Sequence, residues 1–391
     1  MQAPFEIVFA LMKCLVSDFL IKRMLTIFIL FATFIPVHHA SAQVWTKSSA
    51  PNKGWSAVAM SADGSILAAA INGSIYTSTN SGATWAVSGA PSKSWSALAI
   101  SSDGKFFLAC APSGGIYTST NLGTSWQSNS VPANPDWDAV AASANGSTLI
   151  AGAQAGPAYY STNMGASWRS NGIPGGGYWT SVVTTADGTK LAAQWNGMIY
   201  TSTNSGATWT NYNNSGGTLL LCSTDGKQLL LPVGNNLYVS TNWGVTWTQT
   251  GTLTYGWPLA ISSDAKRLEV LAYGAISVST NLGASWTTIY APVKTWTYVA
   301  LSADGSKLVA VASGTDGIYL WQPPSLSFTN LGGNLVFSWS TNGTAFNLQM
   351  NADLTTTNWM TVTDLPTVIN SQNQIIVSPT NSSGFFRLMS Q

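Results

Sequence analysis

The chain is predicted to be all-β: a seven-bladed β-propeller closed by an N-terminal strand, followed by a small β-sandwich. Three observations carry this. Residues 78–85, S-T-N-S-G-A-T-W, return five more times, ending at Trp126, Trp168, Trp209, Trp247 and Trp286, in steps of 41, 42, 41, 38 and 39 residues. A period near 40 marks stacked units, none of which can bury its apolar face alone. Each period also holds four strand-length runs, each ended by a turn signal, which is the content of one propeller blade. Finally, 11% of residues are aromatic, 18 of them Trp, and only 7% are charged. That balance suits short strands and tight turns, since exposed helices need Lys and Glu on their wet faces.

The first 42 residues read as a leader. Residues 24–42, M-L-T-I-F-I-L-F-A-T-F-I-P-V-H-H-A-S-A, follow Lys22 and Arg23 and end in small residues that a signal peptidase accepts. Translation is expected to start at Met24 and cleavage to fall before Gln43. The protein is therefore read as secreted or periplasmic, with no membrane attachment after the cut. The whole chain has 15 basic and 14 acidic residues, and the leader holds Lys13, Lys22, Arg23, Glu6 and Asp18, so the remainder balances at 12 of each. No basic stripe exists, which argues against nucleic acid as a partner. Cys14, His38 and His39 also lie in the leader. The mature chain has no imidazole, which excludes His-based triads and His-ligated zinc. Cys110 and Cys222 sit in apolar runs of different repeats and are read as buried free thiols. No cofactor and no metal is expected.

In the first repeat W-S-A-V-A-M-S is a strand, 62–64 a tight turn, and I-L-A-A-A-I a second strand. Asn72-Gly73 turns into a third strand, and the repeated octet leads to a fourth. First strands recur at Trp55, Trp95, Trp137, Trp179, Gly217, Trp257 and Trp296, seven starts for six octets. The last unit stops after its third strand, at residues 317–322. Residues 44–47, V-W-T-K, resemble an orphan fourth strand, with Trp45 lying 40 residues before Trp85. Pairing the two closes the ring without a free edge. The propeller is thus expected over 43–322. Pro323-Pro324 ends the pattern, and 323–391 keep alternating strand signals with Asn- and Gly-rich turns, which predict the sandwich.

S-T-N-x-G-x-[TS]-W resembles the Asp-box or BNR repeat, S-x-D-x-G-x-T-W. The matching positions are Ser78, Asn80, Gly82, Trp85; Ser119, Asn121, Gly123, Trp126; Ser161, Asn163, Gly165, Trp168; Ser202, Asn204, Gly206, Trp209; Ser240, Asn242, Gly244, Trp247; and Ser279, Asn281, Gly283, Trp286. Ser and Asn side chains bond nearby backbone, Gly takes the left-handed turn and Trp covers the hairpin. The role implied is structural. Asn in place of the family's Asp gives up a charge, so calcium is not expected there. The resemblance extends to sialidases, which use an arginine triad, a Tyr–Glu pair and an Asp. Here Arg169, Arg267 and Arg387 are dispersed and Glu269 is the mature chain's one Glu, so sialidase chemistry is excluded. In blade number and repeat length the chain is similar to seven-bladed photosystem-assembly factors and their secreted relatives, which bind protein. The C-terminal region resembles fibronectin-III-like modules.

Asp63, Asp103, Asp187, Asp225, Asp264 and Asp304, with Asn145, occupy one repeated turn and are read as turn chemistry. Outside it, Asp136 and Asp138 flank Trp137, and an i, i+2 pair in a strand points one way. They are the candidate pair for the alternative reading, a glycoside hydrolase or lyase. The variable loops gather on the face holding the second-to-third and fourth-to-first connections. Trp residues at first-strand starts are read foremost as packing between blades, otherwise as a ring at the mouth. Trp195, Tyr178, Tyr255 and Tyr159 are read as departures from the repeat and, with Asp136 and Asp138, form the candidate ligand-binding set. The function expected is non-catalytic: a monomeric binding or scaffold module for an envelope protein or a polysaccharide.

Overall fold

The computed structural model describes residues 9–10, 44–131, 136–153, 156–170, 172, 179–213, 217, 219–253, 259–272, 275–322, 326–340, 346–352, 356, 358–369, 372–378 and 384–390. The cleavage site before Gln43 and the Pro323-Pro324 boundary lie outside them. The chain divides into two compact units, one of them Trp45–Trp321.

Among the described residues this unit forms seven four-stranded antiparallel sheets. The first blade runs Trp55–Met60, Leu67–Ile71, Ser74–Ser78 and Ala86–Val87. Five more follow over 97–128, 137–170, 179–213, 221–252 and 259–290, each a simple meander with its first strand innermost. The seventh takes Trp296–Leu301, Leu308–Ala312 and Gly317–Gln322 from the end of the propeller and Val44–Lys47 from its start. Trp45 stacks on Trp296 with centroids 5.3 Å apart, and the Ser48 amide donates to the Ile318 carbonyl at 2.9 Å. The N-terminal strand therefore closes the ring.

A second closure is made by backbone alone. In the turn after each first strand one amide donates to the same turn of the next blade: Ala62 to Ser102, Ser102 to Ala144, Ala144 to Ala186, Ala186 to Thr224, Thr224 to Ser263, Ser263 to Ala303, and Ala303 back to Ala62, at 2.7–3.0 Å. Seven bonds form an unbroken circle around the axis. Each turn is held open for its neighbour by its own acid. Ser61 Oγ donates to Asp63 Oδ1 at 2.7 Å, and the Ser65 amide donates to the same oxygen at 2.9 Å.

The octet hairpins share one geometry. Ser78 Oγ accepts from the Gly82 amide at 2.9 Å and donates to Asn80 Oδ1, which also accepts from the Thr84 amide. Asn80 Nδ2 donates to Thr84 Oγ1, and Trp85 Nε1 to the Gly82 carbonyl. The residue before the glycine is left-handed too, with φ of 55° to 59° at Ser81, Leu122, Met164, Ser205, Trp243 and Leu282. Two successive positive φ values are the mark of a tight hairpin turn, and the side-chain bonds of Ser and Asn hold a non-glycine residue in it. A Cβ on Gly82 would meet Leu320 Cδ1 of the seventh blade at 2.6 Å, so the glycine also admits the neighbouring blade.

Cores lie between blades. Each second strand is buried throughout and sends alternate side chains to the two neighbours; Ala69 joins Trp55, Val309 and Val311, while Ala68 and Ala70 join Trp95 and Phe107. First-strand Trp residues pack edge-on to third-strand Tyr residues, as in Trp55–Tyr76, Trp95–Tyr117 and Trp296–Tyr319.

The other unit carries seven C-terminal strands, from Ser327–Leu331 to Phe385–Ser390, in two sheets. Phe9–Ala10 adds to the edge of one by pairing with Phe386 and Phe385. Leu335, Phe337, Trp339 and Ile375 of one sheet and Leu348, Phe386 and Leu388 of the other share a core, with Phe337 and Phe386 centroids 4.3 Å apart.

Candidate functional site

The innermost strands enclose a channel on the propeller axis. At the end held by the backbone circle it widens into a cavity of about 210 Å³, to which every blade contributes. The last residue of each first strand lines it: Met60, Ile100, Ala142, Thr184, Cys222, Ile261 and Leu301. The wall is neutral. It suits a small apolar or hydroxyl-bearing group and offers no charge to hold an ion.

Acids ring the rim of this end, each occupied within its turn. The Ser65 backbone amide, with the Ser61 hydroxyl, lowers the Asp63 carboxyl to about 2. Lys227, helped by Ser223, does the same at Asp225. The Ser101 and Thr185 hydroxyls lower Asp103 and Asp187. Burial opposes the shift at Asp264 and Asp304, but hydrogen bonds from the turn outweigh it. All six favour the charged form in the fold. Their stabilisation is present above the unfolded carboxyl value near 4 and is lost as pH falls through their folded values. Urea midpoints are therefore expected to hold from pH 5 to about 4 and to drop together between about pH 4 and 2. A midpoint unchanged at pH 2.5 would contradict this.

At the opposite mouth the register skips one residue after the starting Trp, between Trp55 and Ala57, Trp137 and Ala139, Trp179 and Ser181, and Trp296 and Tyr298. The skipped residues are Ser56, Asp138, Thr180 and Thr297. Ser56 Oγ and Thr297 Oγ1 bond the carbonyls of Ala70 and Val311. Asp138 thus stands at a bulge, where simple alternation from Asp136 does not hold. Asp136 accepts from Ser113 Oγ at 3.3 Å. The two carboxyls lie on one loop and strand start, but the i, i+2 argument for a shared direction fails.

Of the aromatic candidates, Tyr178 and Tyr255 lie outside the described residues. Trp195 is half-buried with its ring against Trp179 and Tyr200, at 6.3 and 6.2 Å. Tyr159, read from sequence as a departure, keeps the repeat: it pairs with Trp137 as Tyr76 does with Trp55. The starting Trp residues that are described, Trp55, Trp95, Trp137, Trp179 and Trp296, are buried between blades and do not ring the mouth. The exposed apolar side chains near that face include Val293 and Tyr298 of the seventh blade. Asp316, also outside the repeated turn, pairs with Lys294 at 3.1 Å.

Cys110 is buried and free, its thiol pushed up to about 12 by burial. Cys222 is free but only half-buried, because its strand position faces the channel. Among the described residues no three His, Cys, Asp or Glu side chains gather to hold a metal, and no helix is long and apolar enough to cross a membrane. Sequence reasoning missed the backbone circle and the bulge. Their signals were the seven small or hydroxyl residues at one turn position and the hydroxyl-rich position after the starting Trp.

These features define a β-propeller of four-stranded antiparallel blades, closed by its N-terminal strand. Solved structures of the same architecture cover about seven-tenths of this chain and nearly all of their own. The β-propeller domain of Cps50 (Swd1) from Myceliophteria thermophila matches with TM-score 0.58 and 13% identity, over 71% of this chain and 99% of its own. YCF48 from Cyanidioschyzon merolae matches with TM-score 0.55 and 16% identity, over 72% and 98%. YCF48 bound to D1 peptide gives TM-score 0.55 and 16% identity over 73% and 98%. At these identities the likeness is one of fold. No family model matches the chain, and no curated protein matches its sequence.

Proposed function

We propose that this is a non-catalytic propeller that binds or scaffolds a protein segment, acting outside the cytoplasm after removal of its leader. The octet hairpins are read as Asp-boxes with Asn for Asp, and the C-terminal pair of sheets as a small sandwich module of fibronectin-III type. The observation that carries the binding reading is the fate of the aromatic rings. Sugar stacking needs an open ring face, and Trp195 and Tyr159 give theirs to Trp179, Tyr200 and Trp137. What the variable face does expose, Val293 at 62% and Tyr298 at 40%, is the apolar-plus-phenol surface a peptide uses. A structurally similar propeller, YCF48, is known bound to a D1 peptide, which supports a peptide partner in kind.

The test presents the purified protein to a library of unstructured peptides and to a polysaccharide panel, scoring retention and released sugar together. Saturable peptide retention that falls at least tenfold in Val293→Asp with Tyr298→Ala is expected. Polysaccharide retention insensitive to those changes would favour a lectin. Sugar release abolished by Asp136→Asn with Asp138→Asn would establish the hydrolase alternative instead.

A further inference from the structure

The third core position of the second-strand pattern is apolar in every blade but one. Ala68, Leu108, Ile150, Ala192, Leu230 and Val309 are buried there, each facing the next blade; in the sixth blade the residue is Glu269, equally buried. Its strand neighbours in register are Ala260 and Val278. Arg267 Nε donates to Glu269 Oε1 at 2.5 Å, while Oε2 is buried without a hydrogen-bond partner. The Arg267 guanidinium lies over the Trp321 ring of the seventh blade at 5.0 Å, and its stem lies where a side chain on Gly305 of that blade would go. The pair therefore spans the boundary with the blade that the N-terminal strand completes.

We propose that the boundary between the sixth and seventh blades is a proton-linked clasp, in which Glu269 takes up a proton as the two blades close on each other. A buried carboxylate with one oxygen unbonded is costly, and protonation removes the cost while keeping Oε1 as an acceptor for Arg267. Burial pushes the Glu269 carboxyl up to about 7 against the opposing pull of Arg267. Other charged or titratable groups on the packed elements have their own partners. Asp264 pairs with Lys266, Lys307 donates to the Asp63 carbonyl, Asp304 accepts from Ser302, and Tyr319 packs on Trp296. None of them acts on Glu269; Arg267 alone does.

The sign follows from linkage. A carboxyl raised in the fold binds more protons there than in the opened state, so the clasp is tightest below the exposed value near 4.3 and loosens as pH rises towards 7. Glutamate occurs twice in the whole chain, at Glu6 and Glu269, so carboxyl-labelled glutamate gives two NMR signals, and Glu6→Gln assigns them. The Glu269 signal is expected to titrate with a midpoint near 7. Amides of Leu268–Ala272 and Leu308–Ala312, corrected for intrinsic exchange, should open more readily as pH rises from about 5 to 7, by up to about tenfold per pH unit. In Glu269→Gln that slope should vanish. A Glu269 midpoint below about 5, or the same slope in Glu269→Gln, would overturn the proposal. The titration needs no change at Glu269, so it decides the matter even where the variant fails to fold.

Discussion

Removing residues 44–47 is expected to cost this propeller most of its stability and to make what remains associate. The four residues supply the outer strand of the seventh blade, and without them Gly317–Gln322 becomes a bare edge. Its buried side chains, among them Ile318 and Trp321, would keep their apolar faces while the strand lost its outer ladder. Bare apolar edges recruit strands from other molecules. A milder change separates packing from pairing. Trp45→Ala keeps the strand but strips the ring stacked on Trp296, at a cost of about 3 kcal/mol, the lower end of the range for a Trp-to-Ala change because Trp45 is only half-buried. Urea denaturation followed by Trp fluorescence reads the loss, and light scattering reads the association. A deletion variant that stays monomeric with an unchanged midpoint would mean that the backbone circle through Ala303 and Ala62 alone holds the ring shut.

The repeat made much of this fold legible. A fixed 40-residue period with four strand-length runs leaves few alternatives to stacked blades, and an orphan strand at each end of the array asks to be joined. What stayed hidden depends on side-chain surroundings that a one-dimensional pattern does not carry. Trp195 looked like an outlier available for recognition, but a ring between Trp179 and Tyr200 is part of the blade. Tyr159 looked irregular because Tyr160 follows it, although the register of Tyr159 with Ser170 and Ala151 places it with Tyr76. The i, i+2 argument for Asp136 and Asp138 assumed an unbroken strand, and a one-residue bulge defeats it. Glu269 was visible as a lone glutamate, yet nothing in its neighbours along the chain says that both its burial and its arginine are shared with another blade. Function was less legible still, since the repeat specifies the scaffold and the loops that vary specify the partner.

The fifth blade offers the sharpest test of how the repeat tolerates change. In five blades the starting Trp shares a core with an alanine two residues into the second-strand pattern: Trp55 with Ala69, Trp95 with Ala109, Trp137 with Ala151, Trp179 with Ala193 and Trp296 with Ala310. The fifth blade inverts the sizes. Gly217 stands for the Trp and Leu231 for the Ala, and a Cβ at 217 would come within 2.9 Å of Leu231 Cγ. Gln194 of the fourth blade reaches the carbonyl of Gly217, an approach that a bulky side chain there would disturb. Leu231→Ala alone is expected to cost about 3 kcal/mol, since a fully buried leucine is lost and nothing moves in to replace it. Gly217→Trp alone should cost a similar amount through overpacking. The two together recreate the size pairing of the other blades, and the double variant should be more stable than the sum predicts by about 2 kcal/mol, within the range for residues that share one space. Additive losses in that cycle would mean that Leu231 and the starting Trp fill different volumes. The inversion would then be a coincidence of two independent substitutions, and the core between the fourth and fifth blades would owe its packing to Trp243 and Leu220 instead.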